Sequence, residues 1–294
     1  MASPGKASAG DPVAKLSRAY GQLVILQKQI ESRFPSAKLW PLTVREHRPG
    51  LEYHFYLDDI PSVDPEWSLA ASEILFNVRC SLDYLVYQLH VRRFHGNIPP
   101  SAARASMFPI FDNENNFSSN GERHIRALAE REQRAIRHLQ PYVTRNDGWK
   151  YTRYFLGLLS SLQNSDKHRQ LHVVAAAQAA TFTPSFPESC GFSTDLSRRP
   201  VKSGGHVQTW TFTSPPPEMK GNDGAILAVA IEHGGQMMAL LGTLSELANN
   251  VSFVIERFAD RFPKIPRPVA WRPAWSMPYL PKGACPPRAR NVFI

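Results

Sequence analysis

Apolar residues return every three or four positions between 64 and 94: Ala71, Ile74, Val78, Leu82, Leu85 and Leu89 form one stripe. That period predicts a helix over about 65–94. Asp64-Pro65 starts it, the carboxylate accepting the first free N–H groups and the proline suiting the first turn. Trp67, Leu75, Phe76, Cys80, Tyr84, Val86 and Tyr87 fill its flanks. A helix apolar on most sides is buried on most sides, so other elements are expected to pack around it. The same period predicts a helix over 11–34, with Val13, Leu16, Tyr20, Leu23, Ile30 and Phe34 on one face and Pro35 at its end. A charged helix is expected over 121–139, with Ile125, Leu128, Ile136 and Leu139 as a thin stripe and Pro141 beyond. Another begins near Trp149, turns Tyr151, Phe155, Leu158 and Leu162 inward, and runs through Asn164 to about Ala179, because 173–180 is rich in alanine. The cleanest heptad is the last, Met237, Leu240, Leu244, Leu247, Val251, Val254 and Phe258, predicting a closing helix over 236–262.

Period two marks the strands. Leu42 and Val44 alternate with Thr43 and Arg45; past the Pro49-Gly50 turn, Leu51, Tyr53, Phe55 and Leu57 alternate with Glu52, His54 and Tyr56. This is a hairpin. Short β-branched or aromatic runs at 181–186, 206–213 and 225–232, separated by proline and glycine, predict three more antiparallel strands. The connection 96–117 contains Met107-Phe108-Pro109-Ile110-Phe111, too apolar for solvent, and is expected to lie over the helices. The fold class is therefore α+β: a helical bundle around a long central helix at about 65–94, a small antiparallel sheet and an irregular Pro-rich C-terminal tail. The expected division is a flexible N-terminus at 1–10, a single α+β domain over 11–262, and a basic Pro-rich tail over 263–294.

Composition changes this picture in two places. The net charge of +9 invites a nucleic-acid reading, but residues 261–294 hold seven of the 34 basic residues and no acid, leaving 27 against 25 in the body. The excess belongs to the tail. There Trp271, Trp275 and Tyr279 interleave with Arg267, Arg272 and Lys282, a pattern suited to stacking on bases, docking on a partner, or strapping back onto the body. An RNA or protein partner is expected through this tail. Cys80, Cys190 and Cys285 stand far apart, which argues against a disulfide framework and for a reducing compartment, so the cytoplasm is expected. No apolar run approaches the ~20 residues that span a bilayer, and no membrane partner is expected.

The candidate chemistry is polar and set among apolar neighbours. Arg79 and Asp83 lie one turn apart on the central helix, in the weaker order for a local pair, which points to partners elsewhere. Asp166 and Arg169 interrupt the inward stripe of a later helix, so Arg79 with Asp166 and Asp83 with Arg169 would satisfy four charges. Direct contact of Asp83 with Arg169 is predicted. Asn164-Ser165-Asp166-Lys167-His168-Arg169, with His172 one turn on, gathers an imidazole, a carboxylate and cations suited to general acid–base work on a phosphate. Candidate catalytic residues are thus Arg79, Asp83, Asp166, His168, Arg169 and His172. The His168/His172 pair lacks a third metal ligand, and Asp112-Asn113-Glu114-Asn115 lacks the glycine and bidentate glutamate of a calcium loop. No metal and no cofactor are predicted. GxSxG, GxGxxG and P-loop patterns are absent, and Gly204-Gly205 reads as a turn.

The combination Leu75-Phe76-Asn77-Val78-Arg79-Cys80-Ser81-Leu82-Asp83-Tyr84-Leu85, then Phe108-Pro109-Ile110, then Asn164 to Arg169 resembles a group of bacterial hypothetical proteins without assigned function, over roughly 65–175. More loosely, several helices with an Arg/His cluster resemble the HEPN superfamily. That resemblance implies a metal-independent ribonuclease, whose active members carry Arg, commonly then Asn, with four to six residues before a His. Arg169 and His172 stand closer than this; Arg131 and His138 have the spacing, with Glu132 after the arginine. Two function classes follow. One is a non-catalytic binding or interaction module; the other is a phosphodiester-acting enzyme using Arg79, Asp83, Asp166, His168 and Arg169.

Overall fold

Most of these periodicities become ordered elements in the computed structural model, which describes residues 11–36, 38–168, 171–181, 190–196, 200–216 and 224–258. In chain order these are α1 (Pro12–Arg33), β1 (Trp40–Arg48), β2 (Glu52–Leu57), α2 (Glu66–Arg93), α3 (Pro100–Ala105), α4 (Glu114–Asn116), α5 (Glu130–His138), α6 (Lys150–His168), β3 (His172–Thr181), β4 (Phe192–Leu196), β5 (His206–Phe212), β6 (Gly224–His233), β7 (Gln236–Ala239) and α7 (Leu240–Glu256). The fold is α+β. Where the sequence treats 11–262 as one domain, the described residues group into two compact units. The first comes from the described residues within 11–27, 66–171 and 244–258, the second from those within 28–65 and 172–243. The terminal segments, expected to be a flexible N-terminus at 1–10 and a basic Pro-rich tail at 263–294, lie outside the described residues.

The first unit is helical because its apolar residues recur at helical spacing and can be buried only on one another. On α2, Ala71, Ile74, Leu75, Val78, Leu82 and Leu85 are fully buried, as the stripe requires. So are Leu16 and Ala19 of α1, Leu159 and Leu162 of α6, and Leu244 and Val254 of α7. Neutral side chains fix how these helices register. Asn77 of α2 donates to Gln22 of α1 at 2.8 Å, Tyr20 of α1 donates to Asn249 of α7 at 2.8 Å, and Thr152 of α6 donates to Asn250 of α7 at 3.1 Å. On α6 the buried face runs through Phe155, Leu156, Leu159 and Leu162, one position away from the expected Tyr151 and Leu158.

The second unit is built on an antiparallel sheet in the order β3-β6-β1-β2-β5-β4, with β7 also paired to β6. The expected hairpin is present: Leu42 pairs with Leu57 and Val44 with Phe55. Its turn needs Gly50, which holds φ +68° with Pro215 packed where a side chain would begin. β5 and β6 fall on the expected runs at 206–213 and 225–232.

Three expectations are corrected. The alanine-rich segment is not helix but β3, paired with β6 from His172 opposite Glu232 to Thr181 opposite Gly224. Alanine's helix preference is worth at most ~0.7 kcal/mol per residue over ordinary residues, and a full ladder beside an apolar strand outweighs it. Of the strand expected at 181–186 only Thr181 is described, and it is in a strand, at the end of β3; 182–186 lie outside the described residues, and β4 is an element that the periodicity did not predict. The charged helix expected over 121–139 is confined to Glu130–His138, preceded by a π-turn at Phe117–Gly121 and a 3-10 turn at Glu122–His124. Ser118, Ser119, Asn120 and Gly121 favour turns over helix, although Ile125, Leu128, Ile136 and Leu139 are all buried as expected. The closing helix starts at Leu240, because Gly234 and Gly235 at φ +58° and +73° close a tight β6–β7 hairpin.

Candidate functional site

Arg79 and Asp83 turn out to hold backbone. The Asp83 carboxylate accepts from the Phe108 N–H at 2.9 Å, and Arg79 donates to the Phe108 carbonyl at 2.5 Å. The two side chains also pair with each other, Nη2 to Oδ1, at 3.1 Å. They therefore grip both polar groups of one peptide residue, whose ring is fully buried. Burial pulls the Arg79 guanidinium below its ordinary value, and the Asp83 charge opposes that shift. This is why the Phe108-Pro109-Ile110 segment lies against α2, as its apolar character predicted. It also corrects the sequence reading, which looked for Arg79's partner on a later helix: the carboxylate beside it is Asp83, one turn along.

Of the remaining predicted residues, Asp166 and His172 make their contacts elsewhere. Asp166 accepts from the Ser72 hydroxyl at 2.5 Å, joining α6 to α2 in the place where a bond to Arg79 was expected. His168 is the last residue of α6, and Arg169 lies outside the described residues, as does its expected contact with Asp83. His172 is not one helical turn beyond His168: it opens β3, and its Nδ1 meets Glu232 of β6 at 2.6 Å. The described residues contain no group of three His, Cys, Asp or Glu side chains placed to hold a metal ion.

A different constellation in the first unit has the form of a site. Arg131, Glu132, Arg134, Ala135 and His138 of α5, Arg145 of the following loop, and Arg257 and Phe258 after α7 line a cavity of about 490 Å³. Four arginines face one glutamate. That glutamate is committed to the fold: buried Glu132 accepts from the Ala129 N–H at 3.1 Å, at the start of α5. Arg134 pairs with exposed Glu130 at 2.7 Å, a contact worth little in water. The Arg257 guanidinium lies over the Trp149 ring at 4.9 Å, which presents a flat cation at the rim.

One wall is shaped by Arg153 of α6, itself only 2% exposed. Its guanidinium donates to the carbonyls of His138 and Arg145 and pairs with Asp147 at 2.9 Å. Asp147 in turn meets Nε2 of His138 at 3.0 Å and accepts from the Trp149 N–H at 2.9 Å. The Arg153 hydrogen bond holds the Asp147 carboxyl below its usual range, so it is ionised at neutral pH. His138 is thus oriented by a carboxylate while its ring lines the cleft. A concave surface with several guanidinium groups, one oriented imidazole and little opposing charge is chemically suited to a phosphate-bearing anion.

Sequence reasoning passed over most of this site. Arg131 and His138 were visible by their spacing, but Arg145 and Arg257 stand far away in the chain, and only the fold brings them together. The one signal for Arg153 was a charged residue next to the apolar positions of α6. No protein-family model matches the chain, and no curated protein or solved structure matches it significantly. Among the described residues no helix is long and apolar enough to cross a membrane.

Proposed function

We propose that the chain is a binding module for single-stranded RNA, whose phosphates enter the arginine-lined cleft of the first unit. The observation that carries this reading is the convergence of Arg131, Arg134, Arg145 and Arg257 on one cavity of about 490 Å³. Guanidinium groups match phosphate bidentately and release counterions on binding, so a cleft of this composition favours a polyanion over a neutral ligand. We extend the proposal to architecture: the first unit forms a bundle around α2, supported by the ties from Asn77 to α1 and from Ser72 to α6. Fluorescence anisotropy of a labelled ~12-nucleotide single-stranded RNA tests the function. Arg131→Ala with Arg145→Ala is expected to weaken binding at least tenfold; unchanged affinity rejects the cleft.

A second reading, metal-independent RNA cleavage, is favoured by one specific observation. Arg131 and His138 carry the HEPN-like spacing and line the same cavity, and His138 is oriented by Asp147. In such a reaction the imidazole takes the proton of a ribose 2′-hydroxyl, whose oxygen attacks the adjacent phosphorus. The bond from phosphorus to the 5′-oxygen breaks, that oxygen takes a proton from a water molecule, and an arginine stabilises the charge on the non-bridging oxygens. Incubation of RNA with the protein in chelator decides between the readings. Products that disappear in His138→Ala, with binding retained, support cleavage; intact RNA with full binding supports a non-catalytic module.

A further inference from the structure

In the second unit, alternation along β1, β2 and β5 sends Val44, Phe55, Leu57, Trp210 and Phe212 to one face, which is buried or nearly so. The opposite face of an antiparallel sheet normally carries small polar residues and scattered charges. Here it carries rings. His54 stacks on His47 with centroids 4.9 Å apart and planes 24° apart, and His206 lies 5.3 Å from His54. Tyr56 meets His206 edge-on at 5.5 Å, and the Arg45 guanidinium lies over Tyr56 at 4.6 Å. The array is partly open: Arg45 and His47 are exposed, and His54, Tyr56 and His206 are half-buried.

We propose that this face is a stacking surface for the unpaired bases of a single-stranded nucleic acid. Bases stack on aromatic rings, imidazoles and guanidinium planes, and an array already stacked among itself extends by one base at little ordering cost. The cation of the array fits the same occupant. Arg45 is exposed and lies over Tyr56, the Glu52 carboxylate is occupied by Arg48 at 2.6 Å and by His54 at 2.8 Å, and exposed Asp195 of β4, opposite Thr209, stands on the same face beside His206. A metal is the competing use of three histidines, and the geometry disfavours it. His54 and His47 meet face to face; Nε2 of His54 faces Glu52, and Nε2 of His206 lies 2.9 Å from the Thr209 hydroxyl.

This inference stands on the second unit alone and does not require the arginine cleft. The test uses the full chain and two labelled eight-residue oligonucleotides, one single-stranded RNA and one abasic strand with the same number of phosphates. Wild-type protein is expected to bind the base-bearing strand about tenfold more tightly than the abasic one. Tyr56→Ala removes most of that difference, Tyr56→Phe keeps it, and neither changes abasic binding. Arg45→Ala, at an exposed position that cannot disturb the core, weakens base-bearing RNA severalfold and serves if Tyr56→Ala fails to fold. Equal binding of the two strands by wild type, or undiminished preference in Tyr56→Ala and Arg45→Ala, overturns the proposal. The cleft reading fails separately, if Arg131→Ala with Arg145→Ala leaves abasic binding unchanged.

Discussion

At the scale of single residues, charge inside this fold is used to hold chain. The sequence showed that Arg79 and Asp83 were out of place on an apolar helix, but not that their partner was the backbone of Phe108, because a carbonyl and an N–H have no letter in the sequence. Asp83→Ala is expected to cost ~1.5–3 kcal/mol, the range for hydrogen bonds to charged groups, since it releases the Phe108 N–H and strips Arg79 of its carboxylate. Urea unfolding of Asp83→Ala, Arg79→Met and the pair gives the coupling; additive losses mean that the two do not act as one clamp. His90 adds a pH dependence of its own. Its ring is fully buried, Nδ1 lies 2.9 Å from Ser106, and Nε2 has no hydrogen-bond partner among the described residues. Burial, aided by Arg93, lowers its pKa below the ordinary 6.5. Below that pH the unfolded chain takes up a proton that the folded chain refuses, so this contribution is complete above about 6.5 and is lost as pH falls towards the folded value. Unfolding midpoints from pH 8 to 5 should fall less steeply for His90→Gln than for wild type, and parallel profiles exclude His90 as the source.

At the scale of elements, the legible parts were those where one period ran without competition. α2 and α1 lie within one residue of where their apolar spacing put them, the first hairpin forms about the expected Pro49-Gly50 turn, and Leu244, Leu247, Val251 and Val254 are all buried as the last heptad required. Leu244→Ala is accordingly expected to cost ~2–5 kcal/mol, the cost of an unfilled cavity at a fully buried leucine. A thermal midpoint equal to wild type would show that the site collapses without loss. The illegible parts share a cause. Alanine has no face of its own, so 173–180 takes its conformation from β6, a partner some fifty residues away in the chain. Gly234-Gly235 was a turn signal overridden by the strong heptad that follows it, and β7 was lost inside the predicted helix. In both cases non-local pairing decided a segment whose local preference was weak.

For the whole molecule, the question is which positive charge a polyanion meets. Residues 261–294 hold seven basic residues and no acid, whereas the rest of the chain is nearly balanced at 27 basic to 25 acidic. A summed field therefore says little about the body, and the cleft was invisible to composition because its four arginines are a local excess within a balanced fold. Salt dependence separates the two sources. Each single-strand phosphate neutralised contributes about −0.7 to the slope of log K against log salt concentration. If Arg131 and Arg145 each meet a phosphate, replacing both with alanine should make that slope shallower by about 1.4, with the intercept falling as well. Replacing all seven basic residues of 261–294 with glutamine supplies the comparison, since it removes more charge and leaves every described residue of the cleft unchanged. A larger slope change per charge in the cleft variant places the phosphates in the cleft. If the glutamine variant loses the whole slope and the cleft variant none, the bound strand runs along the C-terminal segment, and the four arginines serve only to shape the first unit.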